Sequence, residues 1–494
     1  MQEVIRISEC DNVAVVLKAL SKGQEIFVGQ EMITVSEEIP VGHKVALYDL
    51  EANCEIIKYG TSIGRTTKAV KKGEWVHTHN LKTGLGGVLD YSYQPINQAD
   101  IKIAEASFFQ GFQRDNGLVG VRNEIWIIPT VGCVNDVARQ LEKRGKEYLT
   151  GSVDDIVAFT HPYGCSQLGE DQLNTQKILA GLVNHPNAAG VLVLGLGCEN
   201  NNIDEMKKQI GDYRKDRVKF LSCQDCEDEI VQGVKLIQDL IFYGMQFKRE
   251  KINTNKLVVG LKCGGSDGLS GITANPTVGA FSDQLVAAGG TTILTEVPEM
   301  FGAETILMNR CANEGLFHKT VSLINNFKQY FINYDQLIYE NPSPGNKEGG
   351  ISTLEDKSLG CTQKSGSSLV KGVLRYGEPV TEKGLHLLSS PGNDLVAATA
   401  LAVSGAHLIL FTTGRGTPFG APVPTIKISS NTSLYNKKKA WIDLDTGRLL
   451  EGYTMKALSG ELFELVLETA SGKKVKSEIN GYHDMAIFKQ GVTL

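Results

Sequence analysis

The segment Leu261 to Gly271, LKCGGSDGLSG, gathers a thiol, a hydroxyl and a carboxylate (Cys263, Ser266 and Asp267) into one turn with Gly264, Gly265 and Gly268. The glycines open backbone angles closed to other residues, so the turn can approach a small anionic ligand. Other apolar segments end in comparable turns. TEVPEM carries Glu296 and Glu299, SSPGND carries Asn393 and Asp394, and Arg415 stands between Gly414 and Gly416. An arginine so placed can grip a carboxylate with two parallel hydrogen bonds while nearby backbone amides contact the same oxygens. Cys133, Cys165, Cys198, Cys263 and Cys361 each adjoin a glycine, in what reads as a turn at the end of a strand. Near the N-terminus, His77 and His79 are two residues apart, which on a strand places both imidazoles on one face, and His43 lies in the turn-like VGHKVAL. Converging neutral imidazoles make a divalent-metal site, whereas the plainer reading of HTH is a polar edge strand.

The chemistry open to this inventory is narrowed by what is missing. GLGCEN lacks the third glycine of a dinucleotide fingerprint, GRGTPFG runs into prolines rather than a helix, and the chain has neither GxxxxGK[ST] nor GxSxG. Histidines, glycine turns, carboxylates and lysines remain. They suit metal-assisted proton abstraction beside a carboxylate, followed by elimination with a base and an acid.

Three groups of elements must position these residues. Residues 1–92 are short segments alternating with period two between Gly and Pro turns, a small all-β module. Residues 93–104 show no period and read as a linker. From 105 to 250, EIWIIPTVGCVNDVARQLEKR, DIVAFTHPYGCSQLGEDQLNTQKILAGLV and GVLVLGLGCENNNIDEMKKQI each run strand, Gly-Cys turn, amphipathic helix. The phrase recurs from 255 to 494, beyond a charged junction at FKREKINTNK. Near-continuous apolar strands alternating with helices imply two α/β regions with doubly wound, mostly parallel sheets. Ligands of such sheets sit beyond the carboxyl ends of the strands. That rule gathers Cys133, Cys165 and Cys198 at one edge, and Cys263, Glu296, Glu299, Asn393, Asp394 and Arg415 at another. The polar stretch 338–366, which includes Lys357, Cys361 and Lys364, lacks periodicity and reads as a pocket wall, a lid or a solvated linker.

With 494 residues, of which 41% are hydrophobic and 21% charged, the chain is long enough for about three domains. A net charge of -6 without a Lys/Arg block argues against nucleic acid, and no apolar run approaches a membrane span. The opening MQEVIRISECDNVAV does not resemble a signal peptide, so a cytoplasmic location is expected and its ten cysteines are not expected to form disulfides. Cys223 and Cys226 have CxxC spacing but no second pair to complete a four-thiolate site.

Long phrases identify a family. HTHNLKT, GVRNEIWIIPTVGCVN, HPYGCSQLG, GLGCENN, KCGGSDGLSGITANP, TEVPEMFGAE, YENPSPGNKEGG, STLEDKSLGCTQK, SSPGND and FTTGRGTPFG resemble the altronate and galactarate dehydratases over essentially the whole chain. The resemblance implies an N-terminal SAF-type β-clip domain before the two α/β regions. It also implies conversion of D-altronate to 2-dehydro-3-deoxy-D-gluconate and water, with Fe2+ or another divalent ion such as Mn2+ as cofactor; galactarate is the alternative substrate. It favours His43, His77 and His79 as the metal ligands but leaves the base and acid open, with His79, Glu299 and Lys364 as candidates. Asn80, Ser266, Asp267, Asn393, Asp394 and Arg415 are the candidate contacts to a sugar acid, with a homo-oligomer as the possible assembly. In a competing reading, three of Cys133, Cys165, Cys198, Cys263 and Cys361 hold an iron–sulfur cluster; in a weaker one, the protein binds a sugar acid without catalysis.

Overall fold

A computed structural model describes residues 3–96 and 106–494. The N-terminal module is built of small antiparallel sheets. One orders its strands Val4–Ile5, Val13–Val16, Lys44–Ala46 and Trp75–Val76; a hairpin pairs Glu25–Val28 with Glu31–Thr34; a third sheet joins Glu55–Lys58, Thr61–Thr66 and Leu81–Lys82. Period-two alternation drives Ile26 and Ile33 inward with Ala14, Val16 and Val45, while Phe27 and Met32 face outward.

Residues 77–80 depart from the expected strand. The strand stops at Val76, and the amides of Asn80 and Leu81 both donate to the His77 carbonyl, closing a turn. Asn80 fixes that turn, its Oδ1 accepting from His77 N and its Nδ2 donating to Trp75 O. His77 and His79 therefore do not share a strand face.

The middle region has a four-stranded parallel sheet in the order Ile156–Ala158, Glu124–Pro129, Ala188–Gly195, Val218–Ser222. Alternate residues cover opposite faces. Ile125, Ile127, Leu192 and Leu194 pack with Leu141, Ile237 and Leu240, whereas Trp126, Ile128, Val191 and Val193 pack with Ile178, Leu182 and Met206. Part of the expected polar junction is instead a strand, Arg249–Asn253. It pairs antiparallel with Phe108–Gln113, which pairs in turn with Val119–Gly120. Its aliphatic-poor sequence hid it; its charges stay at the surface while Ile252 fills the core. Of the expected linker, Tyr93 donates to the Cys311 carbonyl at 2.6 Å, and residues 97–104 lie outside the described residues.

The C-terminal region carries seven parallel strands, in the order Val370–Leu374, Gly384–Leu388, Thr291–Leu294, Val258–Cys263, Leu408–Thr413, Thr425–Ser429, Leu444–Asp445. From Val258–Cys263 the chain passes to Thr291–Leu294 and then to the edge strand Val370–Leu374, fills the gap between them with Gly384–Leu388, and returns to Leu408–Thr413 to build outward in the other direction. The switch point between these two strands is where α/β sheets open a crevice, and it places Cys263–Gly265 beside Thr413–Arg415.

The stretch 338–366 is neither lid nor solvated linker. It contains helices Pro344–Glu348 and Leu354–Thr362, and all nine residues of the second are buried. Thr353 caps that helix through the Asp356 amide. Cys361 thus lies in a helix and not in a strand-terminal turn. The N-terminal module clamps this segment: Lys44 Nζ reaches Gly350 O (2.8 Å) and Asp356 Oδ2 (2.9 Å), and Lys58 Nζ reaches Asp356 Oδ1 (2.8 Å). Glycines permit the approach, since a Cβ on Gly268 would stand 2.0 Å from the Gly42 carbonyl oxygen. Asp356→Asn leaves two buried ammoniums facing a neutral group, so it is expected to destabilise the protein by about 3–5 kcal/mol, read by denaturant unfolding. A change under about 1 kcal/mol would show that the clamp contributes little.

Candidate active site

At the switch point the strand Val258–Cys263 delivers two buried groups, Lys262 and Cys263. Lys262 Nζ bonds Glu296 Oε1 and lies 2.8 Å from Asp394 Oδ1. Glu296 follows the neighbouring strand with φ at +70°, a left-handed conformation uncommon for a glutamate, and its Oε2 accepts from Cys263 N at 3.0 Å. One turn later Glu299 reaches Lys357 Nζ at 2.8 Å. The buried helix Leu354–Thr362 supplies Lys357 and Cys361, and the next turn supplies Lys364, whose Nζ sits 2.9 Å from Cys263 Sγ and 3.6 Å from Glu296 Oε2.

Burial opposes the charge on the lysines and glutamates of this site, and their neighbours decide which of them keep it. Burial works against the Lys364 ammonium, but the surrounding thiols and carboxylates hold its pKa well above the ordinary lysine value. Burial raises the Glu299 carboxyl and is outweighed by Lys357, Lys262 and Lys364, leaving it well below the usual range. Glu296 goes the other way, its burial outweighing the pull of Lys262. The site therefore pairs a carboxylate of raised basicity with lysines held protonated, the separation acid–base chemistry uses.

Among the described residues, the one group of three or more ligating side chains whose donor atoms all lie within 4.8 Å of one another is Cys263, Glu299 and Cys361. The two Sγ atoms are 3.4 Å apart, and each lies 3.2 Å from Glu299 Oε2. Two thiols and a carboxylate suit a borderline-soft divalent ion such as Fe2+. The charge fits too. Lys262, Lys357 and Lys364 face Glu296, Glu299 and Asp394, so ionising both thiols adds the two negative charges that a divalent cation complements.

Of the residues expected from sequence, Glu299, Lys364, Asp394, Cys263 and Cys361 come together here. The histidines are not part of this group; His43 and His77 meet beside Trp75 instead, with ring centroids 4.8 Å apart. His43 accepts from Trp75 Nε1 at Nδ1 (3.1 Å) and contacts the Glu348 carbonyl through Nε2 (3.1 Å), which engages both ring nitrogens. His77 Nδ1 meets Ser352 Oγ at 3.0 Å, and His79 is exposed with its ring 5.2 Å from that of Trp75. Asp267 accepts from Ser270, Ser430 and Asn431, and the Ser266 carbonyl accepts from Asn346. Asn393 caps the helix Asp394–Val403, and Arg415 pairs with Glu348 at 3.0 Å. Cys133, Cys165 and Cys198 are exposed, on the edge of the other parallel sheet. Lys262 was missed, and its signal was present as the lone charge in LVVGLKC. A cavity of about 1170 Å³ opens between the two α/β regions against Glu170, Lys177, Tyr330, Ser389 and Ser390. It backs onto the glutamate turn, because the Ser390 carbonyl accepts from Val297 N.

Known proteins share this organisation along the whole chain. Residues 2–84 match the altronate/galactarate dehydratase SAF domain, 111–243 the D-galactarate dehydratase/altronate hydrolase second domain, and 254–493 the D-galactarate/altronate dehydratase C-terminal domain. Altronate dehydratases of Bacillus subtilis (strain 168) and Escherichia coli (strain K12) are 52% and 51% identical to it, each alignment covering 100% of both chains. The galactarate dehydratase (L-threo-forming) of Escherichia coli (strain K12) is 34% identical over 98% of this chain and 96% of its own. An N-terminal SAF domain, a second α/β domain and a seven-stranded C-terminal domain in that order place the chain in the altronate/galactarate dehydratase family of hydro-lyases.

Proposed function

We propose that the protein dehydrates D-altronate to 2-dehydro-3-deoxy-D-gluconate in the breakdown of galacturonate. The observation that carries this reading is full-length identity of 51–52% to two altronate dehydratases, against 34% to a galactarate dehydratase.

In the reaction the proton on C2, beside the carboxylate, leaves to a base, the C3 hydroxyl departs as water, and the resulting enol takes a proton at C3 to become the 2-keto acid. Glu296, with its raised basicity, is the group suited to accept the C2 proton. Lys364 and Lys262, held protonated beside it, stabilise charge developing on the substrate carboxylate. Asp394, with its side chain a third exposed, marks where a substrate hydroxyl meets the buried groups. Cys263, Glu299 and Cys361 would hold a ferrous or similar divalent ion, which when bound supplies Lewis acidity toward substrate oxygens.

Incubation of the protein with ferrous ion and either D-altronate or galactarate, followed by measurement of 2-keto acid, tests the assignment. D-altronate is expected to be turned over with the higher kcat/KM; preferential turnover of galactarate overturns the substrate choice.

A further inference from the structure

The four-stranded sheet of the middle region ends in cysteine at every strand. In sheet order the turns after Ile156–Ala158, Glu124–Pro129, Ala188–Gly195 and Val218–Ser222 carry Cys165, Cys133, Cys198 and Cys223. Cys133, Cys165 and Cys198 are exposed, although cysteine is among the residue types most often buried. Their turns interlock. Asn201, three residues after Cys198, donates from its amide to the Gly164 carbonyl (3.0 Å) and from Nδ2 to the Thr130 carbonyl (2.9 Å). Asn200 Oδ1 accepts from Ser166 N at 3.0 Å, and a Cβ on Gly164 would stand 1.9 Å from the Thr130 carbonyl oxygen. Gly164 and Gly197, with φ of +98° and +130°, hold the cysteine turns in shapes other residues resist.

Two further observations point to a ligand. Asn201 is fully buried, yet its Oδ1 has no partner beneath these turns. Polar groups also sit at the sulfurs: Gln224 Nε2 is 3.5 Å from Cys198 Sγ, and Ser166 Oγ is 3.8 Å from Cys165 Sγ, the kind of donor that tunes metal-bound thiolates.

We propose that Cys133, Cys165 and Cys198 hold an iron–sulfur cluster, a centre separate from the buried Cys263, Glu299 and Cys361. The three donor sulfurs do not all lie within 4.8 Å of one another, whereas thiolates sharing one tetrahedral ion at bonds of about 2.3 Å stand only ~4 Å apart. A cluster, whose thiolates sit on different irons, spans the wider spacing. The three thiols each release a proton to become ligands, and two ferrous ions, two ferric ions and four sulfides come from solution, so that the core carries its two positive charges without a separate oxidant. A cluster of the [4Fe–4S] type then has one iron without a protein ligand, and at this solvent-facing edge that iron takes an oxygen ligand such as water, a hydroxyl or a carboxylate. The turn of Cys165 leads directly into the helix Gly169–Asn184, whose residues Glu170 and Lys177 line the 1170 Å³ cavity.

Anaerobic reconstitution of the full chain with equal amounts of ferrous and ferric iron and with sulfide tests this without reference to activity. The expected result is a brown protein with broad visible absorption, carrying roughly four acid-labile sulfides per chain and roughly five irons, four in the cluster and one at the buried thiols. Cys198→Ser and Cys133→Ser are expected to lose about tenfold or more of the bound sulfide at unchanged thermal midpoint, while Cys263→Ser retains it. The proposal fails if the wild-type chain takes up iron without sulfide, if it takes up neither, or if sulfide binding survives Cys198→Ser and disappears in Cys263→Ser.

Discussion

Glu296→Gln is expected to lower kcat for dehydration of D-altronate by about 10²–10⁴-fold, the range that a positioned proton acceptor contributes. The substitution keeps the size of the side chain and an oxygen for the Cys263 amide, but removes the charge opposite Lys262 and Lys364. Leaving buried ammoniums short of a partner costs about 3–5 kcal/mol, so loss of activity alone would not separate chemistry from folding. Exchange of the substrate C2 hydrogen with deuterated water does: the variant is expected to bind substrate without exchanging it. Full exchange, or full turnover, would remove Glu296 from the role. The pH profile gives an independent reading. A carboxyl whose pKa is raised by burial is protonated at higher pH than an ordinary glutamate, and only its ionised form accepts a proton. Activity of the wild-type enzyme should therefore fall as pH drops through a value above the usual carboxylate range, and a flat profile down to that range would contradict the assignment.

That Glu296 lies beside Cys263 and Asp394 was legible from sequence, because three features suffice to bring them together: apolar runs that become parallel strands, helices between them, and the convergence of loops at the carboxyl ends of such strands. The same rule put Cys133, Cys165 and Cys198 on the other sheet. Sequence failed where burial was not written in hydrophobicity. The helix Leu354–Thr362 is enclosed on every side, so its Glu355, Asp356 and Lys357 follow no amphipathic period, and its charges are satisfied by partners remote in sequence: Thr83 for Glu355, Lys58 for Asp356 and Glu299 for Lys357. The HTHN segment failed for a local reason: Asn80 bonds back to His77 N and Trp75 O, and this side-chain turn overrides the strand that alternation suggested. The glycines of LKCGGSDGLSG suit a turn around an anion, yet Gly268 serves the close contact with Gly42 that brings the N-terminal module down onto the C-terminal region.

Cys361→Ser is expected to weaken ferrous binding at the catalytic centre by about 10²-fold and to lower activity in proportion, with added metal restoring part of it. Serine preserves volume and a hydroxyl toward Glu299 Oε2, 3.2 Å from the sulfur, so the buried helix has no cavity to collapse into. What it loses is a soft thiolate in a set where sulfur, not oxygen, selects a borderline ion. His79→Ala is the matched control for the alternative placement of the metal. His79 is exposed on its turn, and its loss removes no buried contact, so metal content should stay at the wild-type level. His43→Gln is less clean, since both ring nitrogens are engaged and the docking of the N-terminal module would suffer with them. If His79→Ala loses iron while Cys361→Ser keeps it, the metal sits at the histidines, and the thiol pair beside Lys364 must be explained without it. If Cys361→Ser loses iron and His79→Ala keeps both iron and activity, the N-terminal module contributes to catalysis through the grip of Lys44 and Lys58 on Asp356 rather than through metal-bound imidazoles.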